Sequence, residues 1–383
     1  MKWATTILIF CVAVLTGLGM VMLYSSSMNM EMGKSDVGAH YLLSQLAWGF
    51  FGLIGCVVAA SADYRHLKKI SPWLLGFSVV LLVLVFAPKI GIGRNGARRW
   101  IGLPGMPHFQ PSELAKLALI IFLAFYAERY QRQMGNFKKG LFIPGCVVAV
   151  VLGLIFIEPD RGCTILLAAV CGMMLIIAGA RLRFIIPPAL LLVLGLGVSF
   201  LHDPMRLRRI MAWIHPEQSK GGAGYQAYEA MIALGAGGLK GLGLGNGRQK
   251  LGFVPEHHTD FIFSIIGEEL GLVATLTVLL LFVALVASGI YIARRSADTF
   301  GLLLGAGITF MIGLQAFINI GVVTSTLPNK GMPLPFISYG GSNLLLMMVS
   351  VGCLLSISRF ASEAAQTVTK SSNPFQTMEE SRA

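Results

Sequence analysis

The sequence predicts an all-α integral membrane protein. Of its 383 residues, 55% are hydrophobic and only 13% are charged. Apolar runs long enough to span a bilayer recur along the whole chain, and their number indicates about ten transmembrane helices. The predicted spans cover residues 3–24, 41–61, 72–88, 111–128, 141–157, 163–178, 184–201, 261–293, 300–323 and 343–358.

Basic residues in the short loops predict the orientation. If the N-terminus is cytoplasmic, the Lys and Arg residues of the short loops collect on the cytoplasmic side, as the positive-inside rule requires. Residues 1–360 are then one polytopic domain, with a long extracytoplasmic loop over 202–259. Residues 361–383 are polar with little apolar periodicity, which predicts a disordered cytoplasmic tail. Both termini are therefore expected in the cytoplasm.

Two longer loops on the opposite face also carry basic residues, within 89–110 and 202–259. Long loops are partly exempt from the orientation rule, so one interpretation is a tolerated solvated face. The other is an anion site for phosphate at the level of the lipid headgroups, formed by Arg and Lys side chains. Nucleic acid is not expected as the anion, because the chain has no soluble basic domain.

The most informative segment is PEHHTDFIFSIIGEELG at 255–271, where a polar stretch passes directly into an apolar helix. Asp260 is predicted to lie where water meets hydrocarbon, a position suited to a general base acting on a lipid-linked substrate. Ser264, Gly267 and Gly271 share its helical face, and such small residues permit close helix packing. The alternative is that Asp260 only caps the helix.

Further ionisable residues lie too deep to be surface decoration. Glu113 and Lys116 are three residues apart at the start of the fourth span, where they can pair with each other or with a substrate. A structural salt bridge is the alternative. Asp160 lies in a charged turn over 158–162, whose turn chemistry explains the proline and the glycine but not this carboxylate.

Three other patterns predict less. His257 and His258 are adjacent and so point apart, and no zinc site is expected there. The glycine-rich stretch 235–247 lacks the GK[ST] ending of a phosphate loop, and is expected to be a flexible or re-entrant loop whose backbone approaches a ligand. Glu268 and Glu269 are expected to partner polar groups of neighbouring helices.

Four long motifs resemble the SEDS family of shape, elongation, division and sporulation proteins. They are ARRWIGLPGMPHFQPSELAKL at 97–117, GYQAYEAMIALGAGGLKGLGLGNGRQK at 224–250, VPEHHTDFIFSIIGEELG at 254–271 and LPNKGMPLPFISYGGSN at 327–343. The match spans nearly the whole chain, and it looks more like the division member than the elongation member of the family. The chain departs from the commonest family pattern at Arg161 and in a doubled arginine before Trp100.

The resemblance implies a peptidoglycan glycosyltransferase that polymerises lipid II on the outer face of the bacterial cytoplasmic membrane, at the division septum. It implies a class B penicillin-binding protein and other division proteins as partners. It assigns the catalytic role to Asp260 and a substrate role to Trp100, and it carries Glu113, Lys116 and Asp160 over as site residues.

The expected mechanism is a single displacement with inversion. Asp260 removes the proton from the 4-hydroxyl of the acceptor sugar, which attacks the anomeric carbon of the donor and releases a lipid pyrophosphate. Cations must stabilise this leaving group, with assistance from a divalent ion, Mg²⁺ or Mn²⁺, bridged by the pyrophosphate. The predicted cations and further substrate-binding residues are Arg206, Arg209, Lys116, Lys330, Arg99 and Ser338.

Two other functions suit parts of the pattern. A lipid II flippase would also use intramembrane charges along a headgroup path, although no clear inverted repeat is visible. A scaffold without catalytic activity would use the outer surface to recruit division proteins. Headgroup movement in sealed vesicles and the effect of replacing Asp260 discriminate among the three.

Overall fold

The computed structural model describes residues 1–27, 37–87, 90–94, 97–102, 108–214, 222–249 and 258–371. This part of the chain forms twelve α-helices and one β-hairpin. The helices are α1 (Lys2–Ser27), α2 (Val37–Ser61), α3 (His66–Leu84), α4 (Pro111–Arg129), α5 (Ile143–Ile157), α6 (Arg161–Ile177), α7 (Leu182–Leu201), α8 (Pro204–Ile214), α9 (Tyr225–Gly237), α10 (Ile262–Arg294), α11 (Thr299–Val323) and α12 (Gly341–Ser371). The antiparallel hairpin pairs β1 (Gly91–Arg94) with β2 (Ala97–Ile101).

The predicted spans each overlap one helix, and the fold class is confirmed as an all-α multi-pass membrane protein. Among the described residues, eight helices are long and apolar enough to cross a membrane. They are α1, α2, α3, α5 with the π-helical turn before it, α7, α10, α11 and α12. Of the other two predicted spans, α6 is apolar but has 17 residues, and α4 carries charges at both ends.

Burial places α4, α11 and α12 at the centre of the bundle. In α12, 72% of the apolar window is buried and in α11 61%, whereas in α7 only 6% is buried. Most residues of α4 are buried as well. The charged residues at the start of α4 therefore face neighbouring helices, where polar partners can be provided, and avoid the lipid.

The hairpin is a structure that the sequence analysis did not predict. It pairs Gly91 with Ile101 and Ile92 with Trp100. The signal was present, because Asn95 and Gly96 stand between the two strands, and Asn-Gly is a dipeptide strongly favoured in two-residue hairpin turns. The hairpin places β2 immediately before α4.

Two predicted boundaries are wrong. Helix α3 begins at His66 rather than at residue 72, and Pro72 is accommodated inside it. Helix α12 continues to Ser371, so residues 361–371 are helical rather than disordered. The stretch ASEAAQ that starts at Ala361 is rich in good helix formers, which extend a helix already begun in the membrane. Residues 372–383 lie outside the described part.

The long segment between α7 and α10 contains helices α8 and α9. Helix α9 packs against α10 with its backbone in close contact. A β-carbon on Gly237 would collide with the carbonyl group of Gly267, and one on Gly267 would collide with Leu234. The predicted close packing at Gly267 is therefore confirmed, and its partner is α9.

An ion cluster ties helix ends together at the end of the bundle where α11 begins. Lys68 of α3 donates to Glu128 Oε1 of α4 at 2.8 Å and to Asp298 Oδ2 at 3.1 Å. Tyr64 donates its hydroxyl to Asp298 Oδ1 at 2.9 Å. We call this the Asp298 end. The opposite end, where α10 begins, is the Asp260 end.

Candidate active site at the start of α10

Asp260 lies in the turn directly before α10, as predicted. The N-cap of α10 is Phe261, the residue directly after Asp260. The Asp260 main chain is held from α11, because Asn319 Nδ2 donates to Asp260 O at 2.8 Å. The same amide donates to Met332 O at 2.6 Å and so joins the loop 324–340 to the start of α10.

The loop 324–340 passes directly beside the Asp260 carboxylate. A β-carbon on Gly331 would collide with Asp260 Oδ2, so a larger residue at this position would displace the carboxylate. The preceding residue, Lys330, is half-buried over the first turn of α6, where a β-carbon on Gly162 would lie 2.5 Å from Lys330 Cε. Two consecutive residues of this loop therefore contact the predicted base, Asp260, and the first turn of α6.

The charge of Lys330 depends on its surroundings. Burial lowers the pKa of Lys330 to about 8, the nearby charge of Asp160 opposes that shift, and the positive charges of Arg99 and Arg161 add to it. A desolvated ammonium next to two guanidinium groups is well suited to meet a doubly charged anion.

Arg99 brings the hairpin onto the turn between α5 and α6. Its Nη2 donates to Pro159 O at 2.7 Å and its Nε to Glu158 O at 3.2 Å. Its Nη1 lies 3.9 Å from Asp160 Oδ2. Trp100 follows on β2, half-buried. The predicted residues Arg99, Asp160 and Lys330 are therefore gathered in one cluster.

Asp160 also has a structural task. It is the N-cap of α6, and its Oδ1 accepts a hydrogen bond from Cys163 N at 3.1 Å. Its other carboxylate oxygen faces Arg99. A carboxylate at this position is favoured by the positive end of the helix dipole as well as by the cap bond.

Glu113 and Lys116 form the predicted pair deep in the bundle. Their side chains are 6% and 4% exposed, and Lys116 Nζ lies 2.8 Å from Glu113 Oε2. Asn343 of α12 donates to Glu113 Oε2 at 2.9 Å, and Lys116 donates to Gln315 Oε1 of α11 at 3.0 Å. The pair is fully integrated between three helices, which favours the structural role over direct substrate contact.

The remaining predicted residues are less central. The Ser338 hydroxyl accepts from Leu334 N at 2.7 Å and so closes a turn within its own loop. Arg209 lies half-buried on α8. Arg206 lies on the same helix, and its side chain is outside the described part of the structure. The same holds for His257, which lies in the segment before Asp260.

Two amide side chains organise the site and were not predicted from the sequence. Gln315 and Asn319 are one helical turn apart on α11 and are both buried. Gln315 accepts from Lys116 and donates to Pro333 O at 3.0 Å, while Asn319 holds Asp260 and Met332. A Gln and an Asn four residues apart in an apolar span was the available signal, since buried amides must be hydrogen-bonded.

Glu158 belongs to the charged turn 158–162, but no role was predicted for it from the sequence. Its side chain is fully buried, and neither carboxylate oxygen has a hydrogen-bond partner in the described part of the chain. Burial and the neighbouring charge of Asp160 raise the pKa of Glu158 to about 8, against a lowering effect of Arg99. Glu158 is therefore largely protonated at neutral pH and leaves the cluster with a net positive charge.

The fold and this site define a class, that of multi-pass membrane proteins with an ionisable cluster at one end of the helix bundle, beside a carboxylate that precedes a span. Within that class, residues 5–363 match the family of FtsW, RodA and SpoVE, described as cell cycle proteins. The chain belongs to this family, and the resemblance to SEDS proteins is confirmed.

Relatives support the likeness to the division member. The chain is 42% identical over 353 residues to a protein from Trichlorobacter lovleyi named probable peptidoglycan glycosyltransferase FtsW, covering 92% of each. It is 39% identical over 357 residues to stage V sporulation protein E of Bacillus subtilis, covering 93% of this chain and 97% of that protein.

Solved structures share the fold. One is a chain of a peptidoglycan synthase complex described as coordinating polymerization and crosslinking, with a TM-score of 0.76 and 28% identity over 92% of this chain and 97% of that chain. Another is the rod shape determining protein RodA of Thermus thermophilus, with a TM-score of 0.66 and 26% identity over 92% and 95%.

The buried pair yields a stability prediction. Lys116→Met leaves Glu113 buried without its cation, and we expect the free energy of unfolding in detergent to fall by about 3–5 kcal/mol. The double variant Glu113→Gln with Lys116→Met removes both charges and should regain most of that loss. Lys138→Met, at an exposed position, is the control. A double variant as unstable as the single one would contradict the pairing.

Proposed function

We propose that this chain is a peptidoglycan glycosyltransferase that polymerises lipid II during cell division. The single observation that carries the proposal is the contact between the Asp260 carboxylate and the backbone of Gly331, the residue that follows the half-buried Lys330. A base beside one residue of this loop and a cation on the preceding residue suit the two ends of a displacement reaction. The FtsW relatives and the synthase-complex structure support the choice of substrate.

Asp260 is the general base of the proposed reaction. Its carboxylate takes the proton from the 4-hydroxyl of the acceptor sugar, and the oxygen attacks the anomeric carbon of the donor. The bond from that carbon to the lipid pyrophosphate breaks, and the configuration inverts from α to β. One displacement suffices, so no covalent enzyme intermediate forms. Trp100, on the hairpin beside this cluster, is proposed to contact the substrate.

Lys330 and Arg99 are the proposed cations for the leaving pyrophosphate. Both belong to the cluster that includes Asp160. Lys116 is assigned a structural role instead, because its ammonium group is bonded to Glu113 and Gln315. Arg209 on α8 is the remaining candidate on the described surface, and Ser338 acts by shaping the loop that carries Lys330.

A divalent cation, Mg²⁺ or Mn²⁺, is proposed to arrive with the pyrophosphate. Within the described ranges, no group of three or more His, Cys, Asp or Glu side chains is arranged to hold a metal ion. Asp160 offers one carboxylate close to Lys330, and Mg²⁺ is commonly held by one or two carboxylates together with substrate phosphates. When bound, the ion would supply charge stabilisation at the leaving group.

The proposed setting is the bacterial cytoplasmic membrane at the septum, with both termini in the cytoplasm and the Asp260 end outside. This orientation leaves the Asp298 end, with Arg65 and Lys68, on the cytoplasmic side, in accordance with the positive-inside rule. A class B penicillin-binding protein is the proposed partner, together with other division proteins. The solved synthase complex of similar fold supports this choice.

The proposed function is tested by polymerisation of purified lipid II. The chain is co-purified with its cognate class B penicillin-binding protein, and a transpeptidase inhibitor isolates glycan synthesis. We expect Asp260→Asn to lower the polymerisation rate about 10²- to 10⁴-fold, because a general base contributes that much. The matched control is Asp63→Asn, a carboxylate near the Asp298 end, which should leave the rate unchanged.

Other outcomes of this assay are informative. Substantial polymerisation by well-folded Asp260→Asn would remove Asp260 from the role of base. If an intact wild-type complex forms no polymer but moves lipid II headgroups across sealed vesicles, the chain is a flippase. If it does neither and Asp260→Asn still supports growth, the chain is a scaffold.

The role of Lys330 predicts a pH dependence. Its pKa is lowered to about 8, so its ammonium is present below that pH and is lost as the pH rises through it. We expect kcat/KM to fall on the alkaline side and to be about tenfold lower one pH unit above the pKa. Lys330→Arg keeps its charge and should abolish the fall, whereas Lys330→Met should be slow at every pH. An alkaline limb that persists unchanged in Lys330→Arg would contradict the assignment.

A further inference from the structure

Helix α10 is broken at Gly271, where the backbone adopts φ 77° and ψ −172°. The break separates residues 262–270, which we call the carrier segment, from the main segment, residues 272–294. Asp260 lies just before the carrier segment. A segment about 13 Å long, at 1.5 Å per residue, therefore carries the proposed base.

A glycine-rich loop fills the break. Residues 238–249, which we call the glycine latch, follow α9 and pair with the main chain on both sides of Gly271. These bonds satisfy carbonyl and amide groups that a broken helix leaves without partners. They are Leu242 N to Glu268 O, 2.9 Å, Gly243 N to Glu269 O, 2.9 Å, and Leu272 N to Gly238 O, 2.9 Å.

Two buried carboxylates at the end of the carrier segment hold the same latch. Arg248 N donates to Glu268 Oε1 at 2.7 Å, and Gly245 N donates to Glu269 Oε2 at 3.1 Å. Ser25 of α1 donates its hydroxyl to Glu269 Oε2 at 2.5 Å. Hydrogen bonds to a carboxylate are about twice as strong as bonds between neutral groups. The carrier segment is thus fastened to the latch and to α1.

The fit between latch and helix requires glycine. Gly241 has φ +78°, and a β-carbon there would collide with the carbonyl group of Glu269. A β-carbon on Gly247 would lie 2.9 Å from carboxylate oxygens of both Glu268 and Glu269. The described backbone of this glycine-rich stretch packs against α10, and residues 235–237 belong to α9. The approach of this backbone to a ligand stays a prediction.

We propose that Glu268 and Glu269 are positioning residues for Asp260. Asn319 holds the main chain of Asp260 just before the carrier segment, and the glycine latch holds the end of that segment beside the break at Gly271. The carboxylates thereby set where Asp260 stands relative to the acceptor hydroxyl, without touching the substrate. This proposal rests on the proposed function, since it concerns the placement of the proposed base.

The test compares Glu268→Gln and Glu269→Gln with wild type in the complex with the penicillin-binding protein. We expect kcat for lipid II polymerisation to fall about 10- to 100-fold, because a misplacement of about 1 Å is that costly. KM should change less than about twofold, because the groups that bind substrate are untouched. The matched control is Glu229→Gln, because Glu229 is a half-buried carboxylate on α9. This variant should leave kcat and KM unchanged.

Hydrogen exchange supplies a readout that is independent of activity. In both variants, amide exchange should accelerate across the carrier segment and the glycine latch but not across the main segment of α10. Ser25→Ala removes one hydrogen bond to Glu269 and keeps both charges, so it should fold and show the same changes to a smaller extent. It replaces the glutamine variants if these do not fold.

Unchanged exchange in the carrier segment would overturn the proposal, as would faster exchange with an unchanged kcat. A higher KM at constant kcat would overturn it as well, because it would indicate a binding role. Absence of polymer from an intact wild-type complex would instead overturn the proposed function. If the wild-type complex polymerises lipid II normally and both glutamine variants have the same kcat as wild type, only the positioning role is overturned.

Discussion

The hydrogen bonds of the Asn319 amide hold the site together. One donor bond to Asp260 O and one to Met332 O join α11, the start of α10 and the loop 324–340 at a single point. That loop brings Gly331 to the Asp260 carboxylate and Lys330 to the first turn of α6. In a membrane interior, an amide that lost these partners would be left unsatisfied, which is costly, so the arrangement is strongly specified.

Charged side chains can be buried inside this bundle because neighbouring polar groups form ion pairs and hydrogen bonds with them. Glu113 and Lys116 compensate one another, and Asn343 and Gln315 satisfy further hydrogen-bonding capacity of each. Gln315 also donates a hydrogen bond to Pro333 O, in the same loop that contacts Asp260. The deep salt bridge is therefore linked to the site through α11 and need not contact substrate in order to matter for activity.

The membrane fold could be predicted because span length and apolar composition are local properties of the sequence. Asp260 could be located because the change from polar to apolar residues is also local. The residues that contact Asp260 could not be predicted, because the contact between Asn319 and the loop 324–340 depends on how the helices pack. The contact of the glycine-rich stretch with Glu268 and Glu269 could not be predicted for the same reason, because it joins two separate elements. Helix α12 extends beyond the membrane because the residues that follow Ala361 have high helix propensity. Their polar composition had instead suggested disorder.

In the proposed reaction, Asp260 and Lys330 face the two ends of one displacement. A structure of the complex with an unreactive lipid II analogue as acceptor and a short glycan lipid as donor would test it most directly. The account predicts the acceptor 4-hydroxyl within hydrogen-bonding distance of the Asp260 carboxylate, and the donor pyrophosphate beside Lys330 and Arg99. A 4-hydroxyl held by another carboxylate, or a pyrophosphate bound away from this cluster, would contradict it.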